Sequence, residues 1–178
     1  MKDIGGKNLI LIGMPGAGKS TVGKRLARSL SFPFLDTDQL IEERWGCSLQ
    51  EIIDSEGLDA FRLKEEKTIL SLDVSRHVIS TGGSVVYYPG AMAHLQDLGW
   101  ILWLDLPLED IERRLANGAE NRGIVQTPNQ SLADLYRERT PLYERYTQFR
   151  VETLNKTDQQ VVREILQWLR LERSAHGS

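Results

Sequence analysis

Cysteine is nearly absent. Cys47 stands alone among 178 residues, so no disulfide can form within the chain and a cysteine-stapled scaffold is excluded. No apolar run approaches the roughly 20 residues that a membrane-spanning helix needs; the longest are Leu9 to Ile12 and Trp100 to Leu104. Positive charge is not in excess either. With 22 Lys and Arg against 25 Asp and Glu the net charge is −3, so nucleic acid would have to be held by a local patch rather than by a general basic field. Repeats, low-complexity blocks and a cationic start leading into a signal-like apolar stretch are also missing. The expected address is therefore the cytoplasm, with no membrane and no nucleic acid as partner. What is present, 40% hydrophobic and 26% charged residues, suits a single domain over residues 1–178. Its size and the lack of an apolar surface stripe point to a monomer.

Against this plain background one segment stands out. Gly13-Met14-Pro15-Gly16-Ala17-Gly18-Lys19-Ser20 fits G-x-x-x-x-G-K-[ST] directly after the apolar run Asn8 to Ile12. Glycines let the backbone turn tightly around an anion, so that N–H groups converge on phosphates where a helix begins. Lys19 adds a point charge toward the β and γ phosphates, and the Ser20 hydroxyl is placed to coordinate Mg²⁺. Apolar residues at 22, 26, 27 and 30 then follow a helical period. Gly16, Ala17, Gly18, Lys19, Ser20 and Thr21 are the expected nucleotide-binding residues.

Strand-like segments recur at Leu9 to Ile12, Phe32 to Leu35, His77 to Ser80, Trp100 to Leu104 and Phe149 to Val151, with helical patterns or loops between them. Such alternation predicts an α/β fold, a parallel sheet covered by helices on both faces. Pro107 is placed to start one helix, and Asp158 to cap a final one carrying Val161, Val162, Ile165, Leu166, Trp168 and Leu169. Between two helices lies a stretch rich in breakers, residues 117–130, long enough to work as a lid that excludes water during phosphoryl transfer. Arg122 is its natural cation, and a plain exposed arginine is the alternative.

Ligands of open parallel sheets bind beyond the carboxyl ends of the strands. After the second apolar segment come Asp36-Thr37-Asp38. If the stretch is extended, both carboxylates point to one side, one able to hold Mg²⁺ through water and the other to orient an attacking hydroxyl. The same pair also suits a turn, with Asp38 capping a helix over Gln39 to Trp45. Thr81-Gly82-Gly83-Ser84 follows the third strand, and its glycines allow a small molecule to approach the backbone, or simply make a turn. Arg62 and Arg139 could bind a carboxylate through paired N–H donors. Alternatively they are surface residues, Arg62 having Glu65 and Glu66 three and four positions on.

These residues together, Gly13 to Thr21, Leu35-Asp36-Thr37-Asp38 with Ile41-Glu42, Phe61-Arg62 with Glu65, Thr81-Gly82-Gly83, and Arg139-Thr140-Pro141-Leu142-Tyr143, resemble the shikimate kinase family along nearly the whole chain. The resemblance implies a P-loop kinase with a lid loop, a three-layer αβα fold whose five parallel strands run in the order 2-3-1-4-5, and phosphorylation of the 3-hydroxyl of shikimate with ATP and Mg²⁺. It places the acceptor region at about residues 36–64 and the acceptor pocket at Asp38, Arg62, Gly82, Gly83 and Arg139. Asp36 joins Ser20 at the metal, Arg122 becomes the lid arginine, and Arg114 and Asn155 border adenine. Lys19, Asp38 and Arg122 form the implied catalytic set.

Three features depart from the family pattern. Ser84 stands where a third glycine is usual, adding a hydroxyl to the pocket. Arg122 is followed by Gly123-Ile124 instead of Pro-Leu, and the span from Arg114 to Arg122 is one residue longer than in many members. All three bear on the acceptor. They keep open a kinase of the same build for another hydroxy acid such as gluconate, and a nucleotide-binding regulator without phosphotransfer. Cys47, between Gly46 and Ser48, reads as a small buried filler.

Overall fold

The computed structural model of the chain describes residues 6–118 and 130–176. Five strands, β1 (Asn8–Ile12), β2 (Phe34–Asp36), β3 (Val78–Ser80), β4 (Gly99–Asp105) and β5 (Phe149–Glu152), form one sheet in the order β2-β3-β1-β4-β5. Every neighbouring pair is parallel. The α/β class and the strand order agree with expectation, and each strand overlaps its apolar segment.

β1 sits at the centre and all five of its residues are buried. Because side chains alternate across a strand, it divides the core in two. Leu9 and Leu11 pack with Val22, Leu26, Val161 and Ile165, which lie on α1 (Lys19–Leu30) and α8 (Asp158–His176). Ile10 and Ile12 face the opposite layer with Met92, Ile111, Leu135 and Tyr143, from α5 (Pro89–Leu98), α6 (Leu108–Ala116) and α7 (Leu132–Tyr146). Each such aliphatic side chain contributes about 1.5–3 kcal/mol when fully buried. A third, smaller cluster of Ile41, Leu49, Ile52 and Phe61 holds together α2 (Thr37–Trp45), α3 (Leu49–Glu56) and α4 (Leu58–Leu70). Cys47 is only half-buried, packed against that cluster rather than filling it.

Three local expectations are corrected. Asp36, not Asp38, caps α2: its Oδ1 accepts from the Asp38 N–H at 3.1 Å. The helix begins at Thr37, so the aspartate pair is not extended. Asp158 does not cap α8; Thr157 Oγ1 accepts from the Gln160 N–H at 3.3 Å while the Gln160 side chain accepts from the Thr157 N–H at 2.8 Å, a reciprocal capping box. Pro107 precedes α6 as its cap residue instead of opening its first turn. Nothing in the pattern singled out α3 and α4 as two helices; Gly57, with φ 87° between them, makes the break.

Candidate active site

β1 has β3 on one side and β4 on the other, while the chain leaves it for β2. The loops after β1, β2 and β3 therefore meet at one end of the sheet, at a topological switch point. The loop after β1 leaves no room for side chains at its turns. Gly13 has φ 143°, and a Cβ there would come within 2.6 Å of the Leu104 carbonyl oxygen. Gly18, at φ 89°, caps α1, whose first turn directs its N–H groups and the positive end of its dipole into the loop. Lys19 is buried, its Nζ donating to the carbonyls of Gly13 (3.0 Å) and Met14 (2.8 Å). Arg114 reaches across from α6 to the same loop, Nη1 donating to the Gly16 carbonyl at 3.3 Å. Asn155 lies beyond β5 in an exposed turn with φ 56°.

Ser20 Oγ donates to Asp36 Oδ2 at 3.0 Å and lies 3.5 Å from Ser80 Oγ. Three oxygens of hard-ligand type thus gather beside the phosphate loop, a donor set that suits Mg²⁺. Among the described residues no cluster of three His, Cys, Asp or Glu could hold a metal unaided, so an ion here would take further oxygens from the nucleotide.

Next to this group opens a cleft lined by Lys19, Ser20, Asp38, Gly82, Gly83 and Arg139, among others. Six residues proposed from sequence thus share one wall system. Gly83 is tight: a Cβ would lie 3.0 Å from both Arg139 Nη1 and Pro15 Cδ. Its carbonyl accepts from the Tyr143 hydroxyl at 2.7 Å, which fixes the glycine loop against α7. Arg139 is 1% exposed, its Nε donating to the Tyr87 hydroxyl at 3.1 Å. Arg62 is placed differently. Its side chain is 38% exposed, pairs with Asp59 at 3.1 Å and is not among the cleft-lining residues, although its charge acts on Glu65 and Tyr88. Arg122 and residues 119–129 of the expected lid lie outside the described residues.

Glu65 is the site residue that reasoning from sequence left without a role of its own. It is 1% exposed and lines the cleft. Its Oε2 accepts from Ser84 Oγ at 2.6 Å and from the Tyr88 hydroxyl at 2.8 Å, while Oε1 has no partner. A Cβ on Gly82 would run into Oε1 and lie 3.0 Å from Asp38 Oδ1. A signal was available: Glu65 falls one turn after Phe61 on the face that also buries Thr68 and Ile69, and a carboxylate on a buried helix face calls for an explanation. The Ser84 hydroxyl, expected to alter the pocket, is instead committed to Glu65.

Burial pushes the Glu65 carboxyl above its usual range, opposed by the bonds from Ser84 and Tyr88 and by the charges of Arg139 and Arg62. The folded protein thus binds this proton more tightly than the unfolded chain, and the associated stability is fully present below pH 4.5 and is lost as pH rises through the folded value. Glu65→Gln should therefore melt near or below wild type at pH 4.5 and above it at pH 8, by about 2–4 °C for each 1 kcal/mol relieved. Circular-dichroism melts across that range check this, and a difference independent of pH contradicts it.

The Shikimate kinase family profile matches residues 15–170. The shikimate kinase of Paracidovorax citrulli is 43% identical over 144 residues, covering 78% of each chain. That of Caldanaerobacter subterraneus is 35% identical over 162 residues, covering 90% of this chain and 94% of its own. Among solved structures, shikimate kinase from Acinetobacter baumannii in complex with shikimate matches with a TM-score of 0.86 and 32% identity over 94% of both chains. Motif, sheet order, cleft and relatives agree, and the chain belongs to the shikimate kinase family.

Proposed function

We propose that this protein transfers the γ-phosphoryl group of ATP to the 3-hydroxyl of shikimate, acting as a monomer in the cytoplasm. The observation that carries the reading is the shared cleft: Lys19 and Ser20 of the phosphate loop open into the same space as Asp38, Glu65 and Arg139. A triphosphate on the loop would present its terminal group to an acceptor held there. Arg139 supplies a buried guanidinium for the acceptor's carboxylate, with Arg62 at the rim as the second cation once it exchanges Asp59 for the ligand. The N–H groups around Gly82 and Gly83 allow close contact. No described helix is long and apolar enough to cross a membrane.

Asp38 orients the reacting hydroxyl. As the acceptor oxygen bonds to the γ phosphorus, the bond to the β–γ bridging oxygen breaks, ADP leaves, and the hydroxyl proton passes to the Asp38 carboxylate. Ser20 and Asp36 would hold Mg²⁺, which supplies charge neutralisation on the β and γ oxygens when bound. Lys19, and Arg122 from the lid, neutralise the rest. The loose transition state leaves the protein mainly positioning and electrostatics to provide. Arg114, against Gly16, and Asn155 would flank the adenine.

Coupled ADP release over a panel of hydroxy acids tests the assignment. Turnover with shikimate and none with gluconate is the expected result; turnover with gluconate alone, or with no acid, overturns it. The ground for a different acceptor is weak, because the Ser84 hydroxyl points to Glu65.

A further inference from the structure

The phosphate loop and the acceptor arginine meet across one glycine. A Cβ on Gly83 would lie 3.0 Å from Arg139 Nη1, 3.0 Å from Pro15 Cδ and 3.4 Å from the Gly13 carbonyl oxygen. Bare backbone therefore holds the guanidinium and the cradle apart, and where that backbone lies sets their spacing. The neighbours of Gly83 are tied to α2 and α4: Gly82 N–H donates to Thr37 Oγ1 at 3.3 Å, and Ser84 Oγ donates to Glu65. Gly83 itself is held through its carbonyl, by the 2.7 Å bond from the Tyr143 hydroxyl.

Tyr143 is fully buried and braced on two sides. Its ring stacks on Trp103 of β4 with centroids 5.9 Å apart, and its oxygen lies 3.9 Å from Met14 Sδ in the phosphate loop. It stands one turn after Arg139 on α7, so one helix carries both the guanidinium and the group that fixes the spacer beside it. A residue that only filled the core would not need the hydroxyl, because phenylalanine offers Trp103 the same ring. Burial keeps the phenol protonated above its usual range, opposed by the charge of Arg139, so it remains a donor.

We propose that Tyr143 is a positioning residue for phosphoryl transfer: by holding the Gly83 carbonyl it fixes the spacing between the phosphate loop and Arg139, and with it the register of the acceptor hydroxyl against the γ phosphate. The inference rests on the function proposed above. In-line transfer is sensitive to register, since a misplacement of about 1 Å can cost about a hundred-fold in rate. Binding is much less so. When the donor is lost the Gly83 carbonyl turns toward another partner and the spacer shifts, yet Arg139 still meets the carboxylate and the cradle still meets the triphosphate.

The experiment compares wild type, Tyr143→Phe and a protein carrying para-aminophenylalanine at position 143, whose N–H restores a donor at the same reach. Steady-state kinetics give kcat and the KM for shikimate and for ATP, with thermal melts alongside. Tyr143→Phe should lower kcat about ten-fold to a hundred-fold while both KM values stay within about three-fold of wild type. The aminophenylalanine protein should keep kcat within about three-fold, and it carries the test by itself if Tyr143→Phe fails to fold. A lower melting temperature with unchanged kcat, the signature of a core residue, overturns the positioning role and leaves the proposed function standing. So does a rise in either KM with kcat intact, or a restored donor that does not restore kcat. Wild type that releases no ADP with shikimate overturns both.

Discussion

Lys19→Met is expected to lower kcat by at least about a thousand-fold, equivalent to about 4 kcal/mol of transition-state stabilisation. Methionine approximates the length of the lysine stem and removes the charge. In the structure Nζ donates to the Gly13 and Met14 carbonyls, so in catalysis the ammonium must trade these for phosphate oxygens without leaving the loop. A small displacement of Nζ would then let a single point charge follow the γ phosphate during transfer. The glycine conformations that shape the cradle do not depend on Nζ, because Gly13 is dictated by the Leu104 carbonyl and Gly18 by its φ of 89°. Nucleotide affinity should therefore fall much less than kcat. Single-turnover kinetics with a binding titration separate the two. A variant that keeps kcat within ten-fold would remove Lys19 from the catalytic set.

Arg139→Ala should raise the KM for shikimate by about a hundred-fold, in line with about 2–5 kcal/mol for breaking a buried charge pair, while the affinity for ATP stays nearly intact. The guanidinium is enclosed by Gly83 and Tyr87, and it moderates the buried charge of Glu65. Truncation removes the carboxylate's partner and leaves a cavity, so a lower melting temperature accompanies the kinetic effect. Arg139→Lys distinguishes charge from geometry: it keeps the cation and loses the paired N–H donors, and should recover stability more than KM. Pro15 also touches this corner through Gly83. An equal loss of ATP affinity would show that Arg139 supports the phosphate loop rather than the acceptor.

Much of the fold was legible because its signals are local. The G-x-x-x-x-G-K-[ST] spacing, the helical period that follows it, and the five apolar runs each sit within a few residues of sequence, and backbone sterics turn them into strand, loop and helix. The sheet order came from resemblance, since pairing β1 with both β3 and β4 depends on contacts between distant segments. The caps expected at Asp38 and Asp158 fall instead to their neighbours Asp36 and Thr157. Neighbouring polar residues compete for the same orphan N–H groups, and the sequence alone does not say which geometry wins.

By itself, then, the chain determined a phosphate cradle with Lys19 and Ser20 at its mouth, an α/β architecture, and a short set of acids, glycines and arginines grouped around strand ends. Only the tertiary structure decided how those groups are used. It enclosed Arg139, turned Arg62 toward Asp59, and drew Glu65 inward to meet Ser84 and Tyr88, 19 and 23 positions away. The physical reason is that burial and hydrogen-bond partnership are properties of packing across the sheet and helices. A carboxylate on a helix reads the same in sequence whether it ends in water or against Gly82, and only its surroundings set its charge, its orientation and what it can bind.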